Sequence, residues 1–181
     1  MSNLYLNNIA KSSPNYIKRN LKDQFLLNAL LKMDQEVKLE RFKKLKVHTN
    51  ADTVSPYLIK INSFLKRSLF AKLRLGILPL EIETGRRSDV LRSDRVCKQC
   101  DSGEIEDLEH FLFVCPKFAI PRLTYLVHLS KISPFVQSYS NKEKLTFLFF
   151  NDTASSRVIE FAANFLFTLC KSRDILPIKS S

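Results

Sequence analysis

Apolar residues recur at helical spacing along most of the chain. Ile17, Leu21 and Phe25 stand four apart and are followed by Leu30 or Leu31, Met33 and Val37, a recurrence that marks one face of a helix. Ser13-Pro14 ahead of them offers an N-cap and a first-turn proline. This element is expected to run to about Leu45, with a break near Asp34, and its tail KLERFKKLK is strongly basic. HTNADTVS is polar and reads as a linker. A second Ser-Pro pair, Ser55-Pro56, opens a helix whose apolar stripe is Leu58, Ile61, Leu65, Leu69 and Leu73. Gly76 is placed to end it as a C′ residue, and Pro79 blocks continuation. LPLEIETGRRSDVLRSDRV lacks helical periodicity and is expected to be an extended loop. Helices are expected again over Pro116 to about Ser130, over KEKLTFLFF, and from Asn151 to about Arg173.

These elements divide the chain into a basic helical region (1–50), a basic amphipathic helix (51–76), a loop with a cysteine/histidine cluster (77–118) and a C-terminal helical region (119–181). The expected fold is a mainly α, small helical domain with a metal-stabilised loop in its middle. Composition agrees: 181 residues with 45% hydrophobic content, fourteen Phe and only three Gly suit a packed helical core. The helical phenylalanines 147, 149, 150, 161, 165 and 167, with Phe111 and Phe113, are expected to fill that core. The N-terminus shows no secretory pattern, and LTFLFF and VIEFAANFLFTLC are too short to span a bilayer. An intracellular location, in nucleus or cytoplasm, is therefore expected, with no membrane partner. In a reducing compartment clustered cysteines serve as metal ligands rather than disulfides. Cys170 sits in an apolar helical pattern and is expected in the core.

Charge adds a direction. The formal net charge is +11, but it is uneven. Residues 1–75 hold fifteen Lys/Arg against five Asp/Glu, residues 76–118 six against nine, and residues 119–181 eight against four. Lys60, Arg67 and Arg74 repeat every seven residues on one helix face with Lys66 beside them, and Arg86, Arg87, Arg92 and Arg95 cluster before the first cysteine. Two readings compete: a polyanion partner, or a basic surface that is only solvated.

Candidate chemistry is concentrated in RVCKQCDSGEIEDLEHFLFVCP. Cys97, Cys100, His110 and Cys115 follow the spacing C-x2-C-x9-H-x4-C. Zn²⁺ in structural sites takes four tetrahedral S/N ligands, and two thiolates two residues apart can clasp one ion from a tight turn. Asp101-Ser102-Gly103 supplies turn formers. EDLEHFLF reads as a short helix with Leu108, Phe111 and Leu112 inward, and Cys115 falls at the N-cap of the next helix. A full ligand set leaves no open position for a catalytic water, so no enzyme activity and no small-molecule substrate are expected. The competing reading is a buried histidine among three unrelated core cysteines. Glu104, Glu106, Asp107 and Glu109 are expected to form a solvated face, and His48 and His128 lack companions.

The run LRLGILPLEIETGRRSDVLRSDRVCKQCDSGEIEDLEHFLFVCPKF resembles the C-terminal cysteine/histidine region of non-LTR retrotransposon reverse transcriptases. The likeness covers residues 73–122. It rests on the LRLG turn, the LEIETGRR segment, the R-x-C-x2-C opening, the ED-x2-HFLF-x-CP closing and Arg122 shortly after. It implies a zinc-ligand role for Cys97, Cys100, His110 and Cys115, and a binding role for the neighbouring arginines toward an element's RNA or target DNA. It also implies a possible partnership with a retroelement reverse transcriptase. Catalysis does not carry over, because such polymerases hold two Mg²⁺ ions with paired aspartates and this chain has no Asp-Asp pair.

Three functions follow as expectations. The first is a module binding RNA or single-stranded DNA, with phosphates met by Lys60, Lys66, Arg67, Arg74, Arg86, Arg87, Arg92 and Arg95. The second is a zinc-stabilised protein-interaction domain. The third is a translated retroelement fragment without independent function.

Overall fold

Ser55-Pro56 opens a helix as its sequence requires, yet that helix ends after one turn. A computed structural model describes residues 54–176; the basic helical region 1–50, the linker up to residue 53 and His48 lie outside the described residues. Helix α1 spans Pro56–Lys60, and the chain turns extended at Ile61 before α2, Phe64–Arg74. One continuous helix was the expectation. The break has a local cause: Ser63 caps α2 by accepting from the Lys66 amide, and Asn and Ser favour such caps over helix interiors. Arg67 then donates to the carbonyls of Ile61 and Asn62 at 2.6 and 3.0 Å, satisfying groups that the break sets free. The break also re-aims the apolar stripe. Ile61, Leu69 and Leu73 are buried, whereas Leu58 is 44% exposed and Tyr57 and Phe70 take its place. The Tyr57 ring stacks on Phe70 with centroids 5.1 Å apart.

Helix α2 ends as its glycine dictates. Gly76 has φ 63°, its amide donates to Leu73 O, and the Ile77 amide donates to Lys72 O. This is the paired closure of a Schellman motif. Beyond Pro79 the expected extended loop is instead a helix, α3, Glu81–Arg87. Seven residues are too few to display a period, but the charges were informative. Glu81 and Glu83 lie in the first turn and Arg86 and Arg87 in the last, matching the helix dipole. Gly85 lets Arg95 cross this helix, since a Cβ there would fall 2.7 Å from Arg95 Cγ.

Three longer helices follow: α4, Ala119–Ile132, entered through a 3-10 turn at Pro116–Phe118; α5, Asn141–Phe149; and α6, Ser156–Ser172. Ser140 and Glu143 form a capping box at α5, and Ser155 caps α6. Helix α6 is the hub and packs against α1, α2, α4 and α5. Ile159, Ala162, Phe165, Leu166, Leu169 and Cys170 are buried along it, and Ala162 and Ala163 let neighbours approach closely. Phe111, Phe113, Phe149, Phe150, Phe161 and Phe165 are buried as expected; Phe147 and Phe167 are half-buried. The described residues, 54–176, lie within one compact unit. The architecture is mainly helical, and among the described residues no strand forms beyond the isolated bridge Val96–Ile105. No described helix is long and apolar enough to cross a membrane.

Candidate metal centre

The cluster is assembled by two turns of different kinds. The first is a hairpin closed by the Val96–Ile105 bridge, with the Cys97 amide donating to Glu104 O at 2.8 Å and the Glu106 amide to Arg95 O at 3.0 Å. Cys97 and Cys100 lie on this hairpin, and Gly103 takes the left-handed conformation, φ 70°, that suits a residue without Cβ. The Gln99 amide points at Cys97 Sγ, 3.4 Å away, as expected of a two-residue thiolate clasp. The second turn is helical. Asp107 accepts from the His110 amide at 2.9 Å, in the manner of an N-cap. From His110 to Val114 the helix widens to the π form, closed by the Cys115 amide donating to His110 O at 2.7 Å. This wide turn returns Cys115 to the side of His110, and π-turns of this sort recur at functional sites.

The four ligand atoms of Cys97, Cys100, His110 and Cys115 lie within 4.8 Å of one another. Sγ of Cys97 and Cys115 are 3.9 Å apart, and Cys100 Sγ is 3.4 Å from His110 Nε2. Zn–S bonds of about 2.3 Å at tetrahedral angles imply sulfur–sulfur edges of about 3.8 Å, so the observed edges leave room for one ion at the centre. A disulfide needs sulfurs about 2.05 Å apart, and all four cysteines are free. Cys97, His110 and Cys115 are buried, and Cys100 is half-buried. The arrangement can therefore hold a metal ion in a closed, sulfur-rich shell.

Electrostatics point the same way. Burial pushes the Cys97 thiol up to about 12 and raises that of Cys115 as well. Cys100, at the mouth of the cluster, is lowered to about 6, first by the Ser102 hydroxyl 3.2 Å from its sulfur. Two buried thiols whose charged forms need a cation stand beside one accessible thiolate.

A surrounding layer fixes the ligands. Glu104 lies 2.9 Å from His110 Nδ1, which places the ring proton there and leaves Nε2 for the metal, the usual carboxylate–histidine support. Glu106 is fully buried. It accepts from Arg173 Nε at 2.7 Å, from Arg173 Nη2 at 2.6 Å and from the Glu81 amide at 2.8 Å. Arg122, also buried, donates through Nε to Leu112 O at 3.0 Å and through Nη2 to Cys115 O. The expectation of a solvated acidic face is thus corrected for Glu106, which is buried, while Glu104 is exposed and still reaches His110. An arginine 67 residues downstream gave no local signal that could have found this pair.

The basic residues fare differently from one another. Lys60 donates to Ala154 O at 3.0 Å, and Lys66 bonds Asn164 Oδ1 and lies over the Phe167 ring. Arg67 closes the α1–α2 break. Arg74 is 3% exposed, forks onto Asp152 at 2.6 and 3.1 Å and stacks on Tyr57. The guanidinium is therefore buried in the core rather than on the surface where a phosphate contact was expected. Arg86 pairs with Glu83, and Arg95 donates to Val90 O and Ile82 O. Arg87 and Arg92 are exposed, and Lys98, also exposed, pairs with Glu81 at 2.9 Å. His128 is exposed on α4, away from the cluster. No protein-family model, curated protein or solved structure matches this chain.

Proposed function

We propose that the chain is a zinc-stabilised nucleic-acid-binding module without catalytic activity, of the kind its resemblance to the C-terminal region of non-LTR retrotransposon reverse transcriptases implies. The supporting observation is the closed Cys97/Cys100/His110/Cys115 cluster, whose donor set of three sulfurs and one imidazole suits Zn²⁺ above hard cations. With four protein ligands the ion orders the fold and leaves no position for substrate. RNA or single-stranded DNA meets the module through Arg87 and Arg92, exposed on the segment that leads into the first ligand pair. Arg86, Lys60, Lys66, Arg67 and Lys98 already engage protein partners. Binding is driven by counterion release, so it weakens steeply with salt.

Two measurements test this reading. Native mass spectrometry of the full chain should show one zinc, absent from Cys97→Ser. Fluorescence anisotropy with labelled single-stranded RNA and DNA should give an affinity that falls by about tenfold or more between low and moderate salt. Undetectable binding at low salt overturns the nucleic-acid reading, and a wild-type chain without metal overturns the zinc.

A further inference from the structure

Surface helices of globular proteins turn their polar residues outward. Helix α4 departs from this along one row, although its Thr124, His128 and Lys131 are exposed. Ile120, Leu123 and Val127, spaced i, i+3 and i+7, are 82%, 65% and 49% exposed, and Phe135 on the following turn is 77% exposed. The arginine of the same helix, Arg122, points inward to the metal loop. Beside this row lies a groove of about 440 Å³ lined by Leu123, Leu126, Val127, Leu129, Val136 and Lys144. Isolated exposed apolar residues need no explanation, but a contiguous patch beside a concave site marks an interaction surface.

We infer that this face of α4 is a docking surface for an acidic, amphipathic peptide segment of a partner protein. The choice of occupant follows from charge. Between Glu109 and Glu143 the chain has no acidic residue, while Lys117, Lys131 and Lys142 fall in or beside that stretch, and Lys144 lines the groove. Glu143, just past that stretch, keeps its charge while the Ser140 amide and hydroxyl each donate to its carboxylate at 2.7 Å. The face therefore offers apolar contact beside Lys144, on a stretch of chain that carries no carboxylate. A peptide laying aliphatic or aromatic anchors in the groove, with Asp or Glu between them, complements both features. A second copy of the chain would set lysines against lysines across a twofold axis. The inference does not depend on the nucleic-acid reading, because the arginines assigned there lie on a different segment.

The test is selection of random-sequence peptides displayed on phage against the full chain, followed by anisotropy with the labelled synthetic peptides. Selected peptides should combine apolar anchors with Asp or Glu. Their affinity should fall by about tenfold or more in Leu123→Glu or Ile120→Glu, as for a central anchor contact, and by less in Lys144→Glu. Both apolar positions are exposed, so the variants should keep the wild-type helical circular dichroism spectrum. Failure to enrich any peptide that distinguishes wild type from Leu123→Glu overturns the inference, as does enrichment of peptides without acidic residues. Self-association abolished by Leu123→Glu, or single-stranded RNA binding lost in that variant, reassigns the face and overturns it too.

Discussion

Arg173, at the C-terminal end of α6, grips the carboxylate of Glu106 with two nitrogens, and one oxygen of that carboxylate lies 3.9 Å from Cys97 Sγ. The metal loop is thereby tied to the helix around which the domain is built. Breaking one partner of a buried pair strands the other charge, at a cost of about 3–5 kcal/mol. Glu106→Gln and Arg173→Met should each destabilise the fold by an amount of that order in urea unfolding. The double variant Glu106→Leu/Arg173→Met should recover part of the loss, since it leaves no charge unpaired. A double variant no better than the worse single one would show that the pair acts through shape alone.

Metal removal should unfold the loop first. The ligands must be deprotonated to bind, so acidification and chelation release the ion together. Native mass spectrometry across a falling pH series, paired with hydrogen exchange, should show metal loss coinciding with lost protection of the Cys97 and Glu106 amides. The amides of Leu166 and Leu169 in α6 should exchange later. Simultaneous loss throughout would mean that the helices cannot stand without the ion.

The two arginine classes should separate cleanly. Arg87→Ala and Arg92→Ala are surface changes and should leave unfolding within about 0.5 kcal/mol of wild type. Each should weaken nucleic-acid binding and shallow its salt slope by about one phosphate contact. Arg74→Ala should do the opposite, costing about 3–5 kcal/mol of stability by stranding Asp152, with an unchanged salt slope once refolded at low temperature. A steep loss of binding in folded Arg74→Ala would return that residue to the phosphate-contacting set.

Much of this arrangement was legible in sequence because its signals are local. The ligand spacing brought four side chains together, Gly76 ended α2 where its left-handed conformation is needed, and Pro116 restarted the helix behind Cys115. What sequence concealed depends on distance. Arg67 and Arg74 share a seven-residue repeat with Lys60, yet one closes a helix break and the other is buried by an aspartate 78 positions away. Periodicity reports which face a side chain occupies, and only tertiary packing decides whether that face meets solvent. Helix α3 failed the periodicity test for a simpler reason, being shorter than the two turns that make a stripe visible.

The capping box at α5 carries a pH signature. Hydrogen bonds from the Ser140 hydroxyl and amide hold the Glu143 carboxyl below its usual value of 4.5. A carboxyl depressed in the folded state binds fewer protons there than in the unfolded chain. Its contribution is therefore fully present above the ordinary pKa and is lost as pH falls through the lower folded value. Ser140→Ala removes the hydroxyl, so the Glu143 titration followed by NMR should move up toward 4.5, and stability above that pH should fall as the cap is lost. Below the folded pKa the titration-linked part of that difference should vanish, leaving the smaller gap due to the hydroxyl's own bond to the Glu143 amide. An identical Glu143 titration in wild type and Ser140→Ala would show that the box does not form in solution.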